Sequence, residues 1–216
     1  MDNTTGYSNV AVGNNALANN TTANTNTAVG HNAGLLINTG SLNTLIGGLC
    51  GDTMTTGGAN TGVGYQALTS ITTGGSNNGL GYRAGYNITT GERNIGIGEQ
   101  SLRGLTTAND CIGMGTQSFY ATCTGSANIG LGYRSLFSCT SGGSNIGVGH
   151  QTLHDLTTAG ENVALGYRSL PHITTGDSNV CVGQGTGDGS RGVGLTTGVS
   201  NILIGREADA PASNTN

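Results

Sequence analysis

The chain has 216 residues, of which 41 are glycine and only 8% are charged, with a formal net charge of -4. Seven arginines and no lysine on a mildly acidic chain argue against a nucleic-acid partner, because few phosphates would be neutralised. No apolar run approaches the roughly 20 residues of a membrane helix, which argues against membrane insertion. Low charge with abundant Asn, Thr and Gly leaves a low-complexity polymer or a repeat scaffold, and periodicity separates the two.

The first residues, MDNTTGYSNV, lack the basic region and apolar stretch of a secretory signal, and they already lie inside a repeat. Its anchor is N-x-x-x-G, at Asn9, Asn26, Asn43, Asn60, Asn77, Asn94, Asn128, Asn145, Asn162 and Asn179. Successive anchors are 17 residues apart, apart from one double step whose midpoint is Cys111. A glycine closes each unit's anchor, from Gly13 to Gly183. The unit reads approximately T-T-G-x-x-N-[VIT]-[AG]-[VIL]-G-[YH]-[QR]-[AS]-L-x-x-[IL].

Helix is disfavoured, since two or three glycines per unit each cost about 1 kcal/mol relative to Ala. The segment after each Asn alternates instead, as in Val10-Ala11-Val12 and Ile146-Gly147-Val148. Period two predicts a short strand, with the branched residues on the core face and the small one allowing close approach. The glycine then makes one corner and TTG a second. The apolar residue before TTG (Ile71, Ile88, Leu105, Leu156, Ile173) supplies another wall of the core.

Seventeen residues thus form one coil of an all-β parallel β-solenoid of about twelve coils, each stacked about 4.8 Å from the next. Equivalent residues fall in columns. The Asn column, with Asn201 as its last member, predicts a ladder of side-chain amides, and the Thr column a similar ladder of hydroxyls. The organisation expected is an eleven-coil array over 1–183, a loop or bulge over 184–194, a last coil over 195–208 and a polar tail over 209–216. The last coil arrives five residues late, so five extra residues within GQGTGDGSRGVGL must leave the stack as a loop or bulge. Asp188 and Arg191 make that excursion a candidate ligand loop, although one carboxylate is thin for Ca²⁺.

On these residues the chain resembles a known repeat family. NTAVGHNA, NTGVGYQAL and NVALGYRSL are similar to the head repeats of YadA-like trimeric autotransporter adhesins, and to repeats in tail-fibre and surface-fibre proteins of bacteriophages and large algal viruses. The resemblance covers about residues 4 to 207 and implies a parallel β-roll, usually trimeric, in a fibre that touches another surface. The adhesin coil is shorter than this one, so subunit number and handedness do not transfer automatically.

Position in the repeat accounts for all five cysteines as small buried residues, and only Cys123 and Cys139 lie in adjacent coils where a bridge would form. No C-x-x-C or His/carboxylate pattern suggests a metal, and His150 and His154 read as solvated corner residues. GLGYRAG and GQGTGDG imitate phosphate loops, but no helix follows to supply a dipole. No nucleophile, base and orienting acid stand out, so neither an enzyme nor a cofactor is expected.

Two columns carry flat side chains. Nine residues after the anchor lie Tyr86, Arg103, Tyr120, Phe137, His154 and Pro171, readable as a stabilising ladder, a subunit contact or a platform for sugar rings. Beside the corner glycine, Tyr82–Arg83, Tyr133–Arg134 and Tyr167–Arg168 alternate with Gln-bearing coils, which avoids stacking one guanidinium on another.

Both ends of the repeat lack a capping element, so self-association as a trimer or an end-to-end stack is expected. The reading is a non-enzymatic structural or adhesive fibre module, extracellular or on a virion surface, with a cell-surface glycan as a further candidate partner. The alternative is a subunit of a head-to-tail extracellular filament. Third comes a soluble ice- or glycan-binding solenoid.

Overall fold

A computed structural model describes residues 3–189 and 194–210. The fold is an all-β parallel β-solenoid of about ten turns, with about 17 residues per turn and no helix among the described residues. Arg191 and residues 211–216 of the tail lie outside the described residues.

The chain divides into two compact units, Met1–Asn109 and Asp110–Asn216. The first contains β1 (Val10–Val12), β2 (Thr27–Val29), β3 (Thr44–Ile46), β4 (Thr61–Val63), β5 (Asn78–Leu80) and β6 (Ile95–Ile97). The second contains β7 (Ile112–Met114), β8 (Ile129–Leu131), β9 (Ile146–Val148), β10 (Val163–Leu165), β11 (Val180–Val182) and β12 (Ile202–Ile204). Within each unit consecutive strands pair in parallel and equivalent residues face one another, for example Thr44 with Thr61 and Ile129 with Ile146.

The alternation in each strand is real, but its direction is the reverse of the expectation. In β9 the middle residue Gly147 is buried, Ile146 is half-buried and Val148 is 37% exposed. The middle residue is buried in β2 to β11, with Ala28, Leu45, Ala164 and Cys181 inside, and half-buried in the terminal strands β1 and β12. Size explains it. The lumen of a 17-residue coil is already filled by the leucines eight residues after the anchor (Leu68, Leu102, Leu136, Leu153, Leu170) and by Ile71, Ile88, Leu105, Leu156 and Ile173. A Cβ on Gly79 would meet Leu68 Cγ at 2.9 Å, and one on Gly130 would meet Phe119 Cε2 at 2.8 Å. Only a small residue fits at most strand centres. Leu45 and Leu203 are the exceptions, and Gly34 and Gly51 make room for the methyl groups of Leu45. Close packing thus overrides hydrophobicity in choosing the inward residue.

The corner glycines are required for the stack itself. Gly13 has φ 131°, and a Cβ there would lie 2.5 Å from the Gly30 carbonyl oxygen one turn on. Elsewhere the turn uses left-handed backbone without glycine, at Gln66 (φ 56°), Leu68 (φ 53°) and Ser76 (φ 60°). Such positions are uncommon for non-glycine residues, and here the stacked neighbours hold them in place.

The expected break in the period is visible at β11 and β12. Val180 pairs with Ile202, and the Asn201 amide donates to Asn179 Oδ1 across a separation of 22 residues. Leu195 N–H donates to the Gly187 carbonyl at 3.1 Å, so these two residues are neighbours in space although eight apart in the chain.

Candidate functional site

The Asn column forms the ladder expected of it, and it does more than pair amides. In the first unit it runs through Asn9, Asn26, Asn43, Asn60, Asn77 and Asn94, and in the second through Asn128, Asn145, Asn162, Asn179 and Asn201. Asn145 is representative. Its backbone N–H and Nδ2 both donate to Asn128 Oδ1, at 2.9 and 3.0 Å, and Nδ2 also donates to the Ala159 carbonyl at 2.9 Å. Each amide therefore joins its own turn to the one before and to the corner of the one after. Cys111 stands in this column with a single donor, and its thiol reaches the equivalent carbonyl, Gly125, at 3.4 Å. The Thr column differs from the expected hydroxyl ladder: Thr140 and Thr157 donate to the carbonyls of Thr157 and Thr174, each at 2.9 Å. Backbone carbonyls point along the stack at that corner, so they intercept the hydroxyls.

With the small residues inside, the branched ones form an outward face. In the second unit every flanking residue of β7 to β12 is Ile, Val, Leu or Met, and none is charged. Met114 is 41% exposed and Leu165 36%. Beside them the exposed Tyr133 and Tyr167 sandwich His150, with ring centroids 5.1 Å apart at both contacts. In the first unit Thr27, Thr44, Thr61 and Asn78 make one outward column polar, while Ile46, Val63, Leu80 and Ile97 keep the other apolar. Tyr65 and Tyr82 stack beside it at 6.1 Å. The outward face of the second unit's strands is thus a contiguous apolar strip. The sequence pattern already held these residues; their assignment to the core hid them.

The candidate stripe is divided between the units. In the first, Tyr86 lies under the Arg83 guanidinium, 5.3 Å from Cζ to the ring centroid, and Arg103 is half-buried. In the second, Tyr120, Phe137 and His154 stack face to face, with centroids 5.1 and 5.0 Å apart and planes within 2° and 3°. Their faces are spent on one another, and their edges remain. His150 is exposed at its corner, as expected, while stacking between two tyrosines, whereas His154 is half-buried within the other ring column.

A grouping absent from the sequence reading joins this stripe. His154 Nδ1 lies 2.6 Å from Asp155 Oδ1, and His172 Nδ1 lies 2.8 Å from Asp155 Oδ2. Burial works to raise the Asp155 carboxyl, but the hydrogen bonds from His172 and His154 outweigh it and hold the group below its ordinary value. Asp155 and His172 are one period apart, so alignment of the repeats contained the signal.

All five cysteines are buried thiols. Burial pushes Cys50 and Cys181 up to about 12 and Cys111 up to about 11, which makes them poor nucleophiles. Asp188 lies two residues after the buried Thr186, whose hydroxyl donates to the Gly205 carbonyl at 2.7 Å. Among the described residues no group of three or more His, Cys, Asp or Glu could hold a metal, and no helix is long and apolar enough to cross a membrane. No protein-family model, curated protein or solved structure matches the chain.

Proposed function

We propose that this chain is a non-enzymatic structural module of an extracellular or virion-surface fibre, and that it associates with copies of itself through the outward sheet face. The uncharged apolar face of β7 to β12 carries the reading. Its residues repeat at the strand spacing of about 4.8 Å. A second copy presents the same residues at the same period, so side chains of one face fit between those of the other without unpaired charges. The hydrophobic effect drives such contact in proportion to apolar area removed from water. The likeness to trimeric adhesin heads makes three the expected number of copies.

Sedimentation of the purified chain at micromolar concentration tests this. The expected outcome is an oligomer that reverts to monomer when Val148 and Leu165 are both replaced by Arg, with the β-rich circular dichroism spectrum unchanged. A wild-type chain that sediments as a monomer would sink the proposal. Electron microscopy of the same sample distinguishes discrete lateral oligomers from the alternative, open head-to-tail filaments.

A further inference from the structure

The three arginines six residues after the anchor are equivalent in sequence and unequal in structure. Arg83 donates from Nε to Gln66 Oε1 at 2.8 Å, and its guanidinium lies over Tyr82 and Tyr86 at 5.1 and 5.3 Å. Arg134 donates to Gln117 Oε1 at 2.8 Å and lies over Tyr133 and Phe137, both at 5.0 Å. Arg168 has the corresponding glutamine, Gln151, one turn before it. Yet among the described residues its side chain makes no hydrogen bond, ion pair or ring contact, and neither does that of Gln151. The cause lies three residues further on. Where the other two turns carry Tyr86 and Phe137, this one carries Pro171, so the aromatic shelf that holds the guanidinium is missing.

The missing ring opens a cleft of about 300 Å³ in the second unit, lined by Gln151, His154, Asp155, Arg168, Pro171 and His172. Its chemistry is specific. Asp155 is ionised and accepts at both oxygens, so Nδ1 of His154 and of His172 must carry the proton. In the neutral imidazoles Nε2 is then a hydrogen-bond acceptor, fixed in orientation by the shared carboxylate. The Arg168 fork presents donors matched to a carboxylate, and the Gln151 amide offers one donor group and one acceptor. A ligand that satisfies this wall carries an anionic group for Arg168 and, a few ångströms away, hydroxyls that donate to ring nitrogens. The cleft volume suits a small ring compound.

We propose that this cleft is a binding site for a sugar acid, a saccharide unit bearing a carboxylate, with Arg168 and Gln151 holding the carboxylate and His154 and His172 accepting from the ring hydroxyls. The site belongs to one chain and does not depend on lateral association, so it stands or falls separately from the proposed self-assembly.

The test is titration of the ¹⁵N-labelled full chain with sodium glucuronate, glucose or sodium sulfate, followed by NMR of the arginine Nε–H and histidine ring resonances. Saturable shifts at Arg168 and His172 with glucuronate, at least about tenfold tighter than with glucose, are expected. A tenfold ratio corresponds to about 1.4 kcal/mol. Two variants sharpen the result. Arg168→Gln places there the residue that Gln66, Gln100, Gln117 and Gln151 already show to be compatible with the turn, and it is expected to abolish binding. Pro171→Tyr restores the shelf found at Tyr86, and it is expected to close the cleft and weaken binding at least tenfold with Arg168 intact. Absence of saturable shifts with glucuronate overturns the proposal. So does equal affinity for glucose, or sulfate binding as tightly as glucuronate, which would reduce the cleft to a simple anion site.

Discussion

Cys123 Sγ and Cys139 Sγ lie 2.9 Å apart in the core of the second unit, separated by 16 residues in a chain whose period is 17. The mismatch is absorbed locally. Twelve residues after its anchor, Cys123 takes the inward place filled elsewhere by the eleventh, while Thr122 turns outward. Either thiol can donate to the other; the contact with Cys123, with burial adding to it, pushes the Cys139 thiol up, and the hydrogen bond from Cys139 lowers Cys123.

This pair is expected to bridge under a disulfide oxidant. Two thiols and one oxidised glutathione yield one protein disulfide and two reduced glutathiones, by thiolate attack and exchange. After such treatment, thiol titration of the denatured chain should find two fewer than the five present, and peptide mapping should join Cys123 to Cys139. Closing a loop of about 15 residues stabilises by about 3 kcal/mol, readable as a higher urea midpoint that dithiothreitol reverses. Five titratable thiols after oxidation would contradict the geometry.

Replacing Asn145 by Ala should destabilise strongly. It strands the Asn162 N–H, which donates to Asn145 Oδ1 at 3.1 Å, and the Ala159 carbonyl. Each buried polar group left unsatisfied costs about 1–3 kcal/mol. Asn145→Cys should cost less, because the thiol of Cys111 already performs half of this role two column members earlier. Urea unfolding followed by circular dichroism provides both values.

Direction within the strand is testable at adjacent residues. Gly147→Val puts a side chain where a Cβ already meets Ser135 Oγ at 2.7 Å and Thr152 Oγ1 at 2.9 Å, and overpacking of that kind costs about 1–3 kcal/mol. Val148→Thr, on the outward side, should change monomer stability by no more than about 0.5 kcal/mol. If Val148→Thr proved the more damaging in dilute unfolding experiments, the strand would face the other way.

Asp155 makes part of the stability depend on pH. Its carboxyl is held below the ordinary value of 3.8, so the contribution is complete above that value and is lost as pH falls through the lower folded value. The difference in urea midpoint between wild type and Asp155→Asn should therefore remain near pH 5 and shrink on acidification below about pH 4. A difference that persists unchanged to pH 2 would assign it to packing instead.

The period, the Asn column and the corner glycines were legible in the residues alone. In a solenoid, position n rests on position n of the next turn, so spatial neighbours announce themselves as repetition. What repetition cannot report is the width of the lumen. Ile and Val looked like core residues and Gly and Ala like the open face. Only the packed Leu68 and Phe119 showed that the interior had space for the small residues and none for the large. The outward apolar face follows from that limit. The one-residue slip at Cys123 and the bare guanidinium of Arg168 were equally hidden, because each departs from the average turn through the shape of a particular neighbour. Columns come from chain periodicity; facing and clefts come from volume, which is settled when the side chains meet.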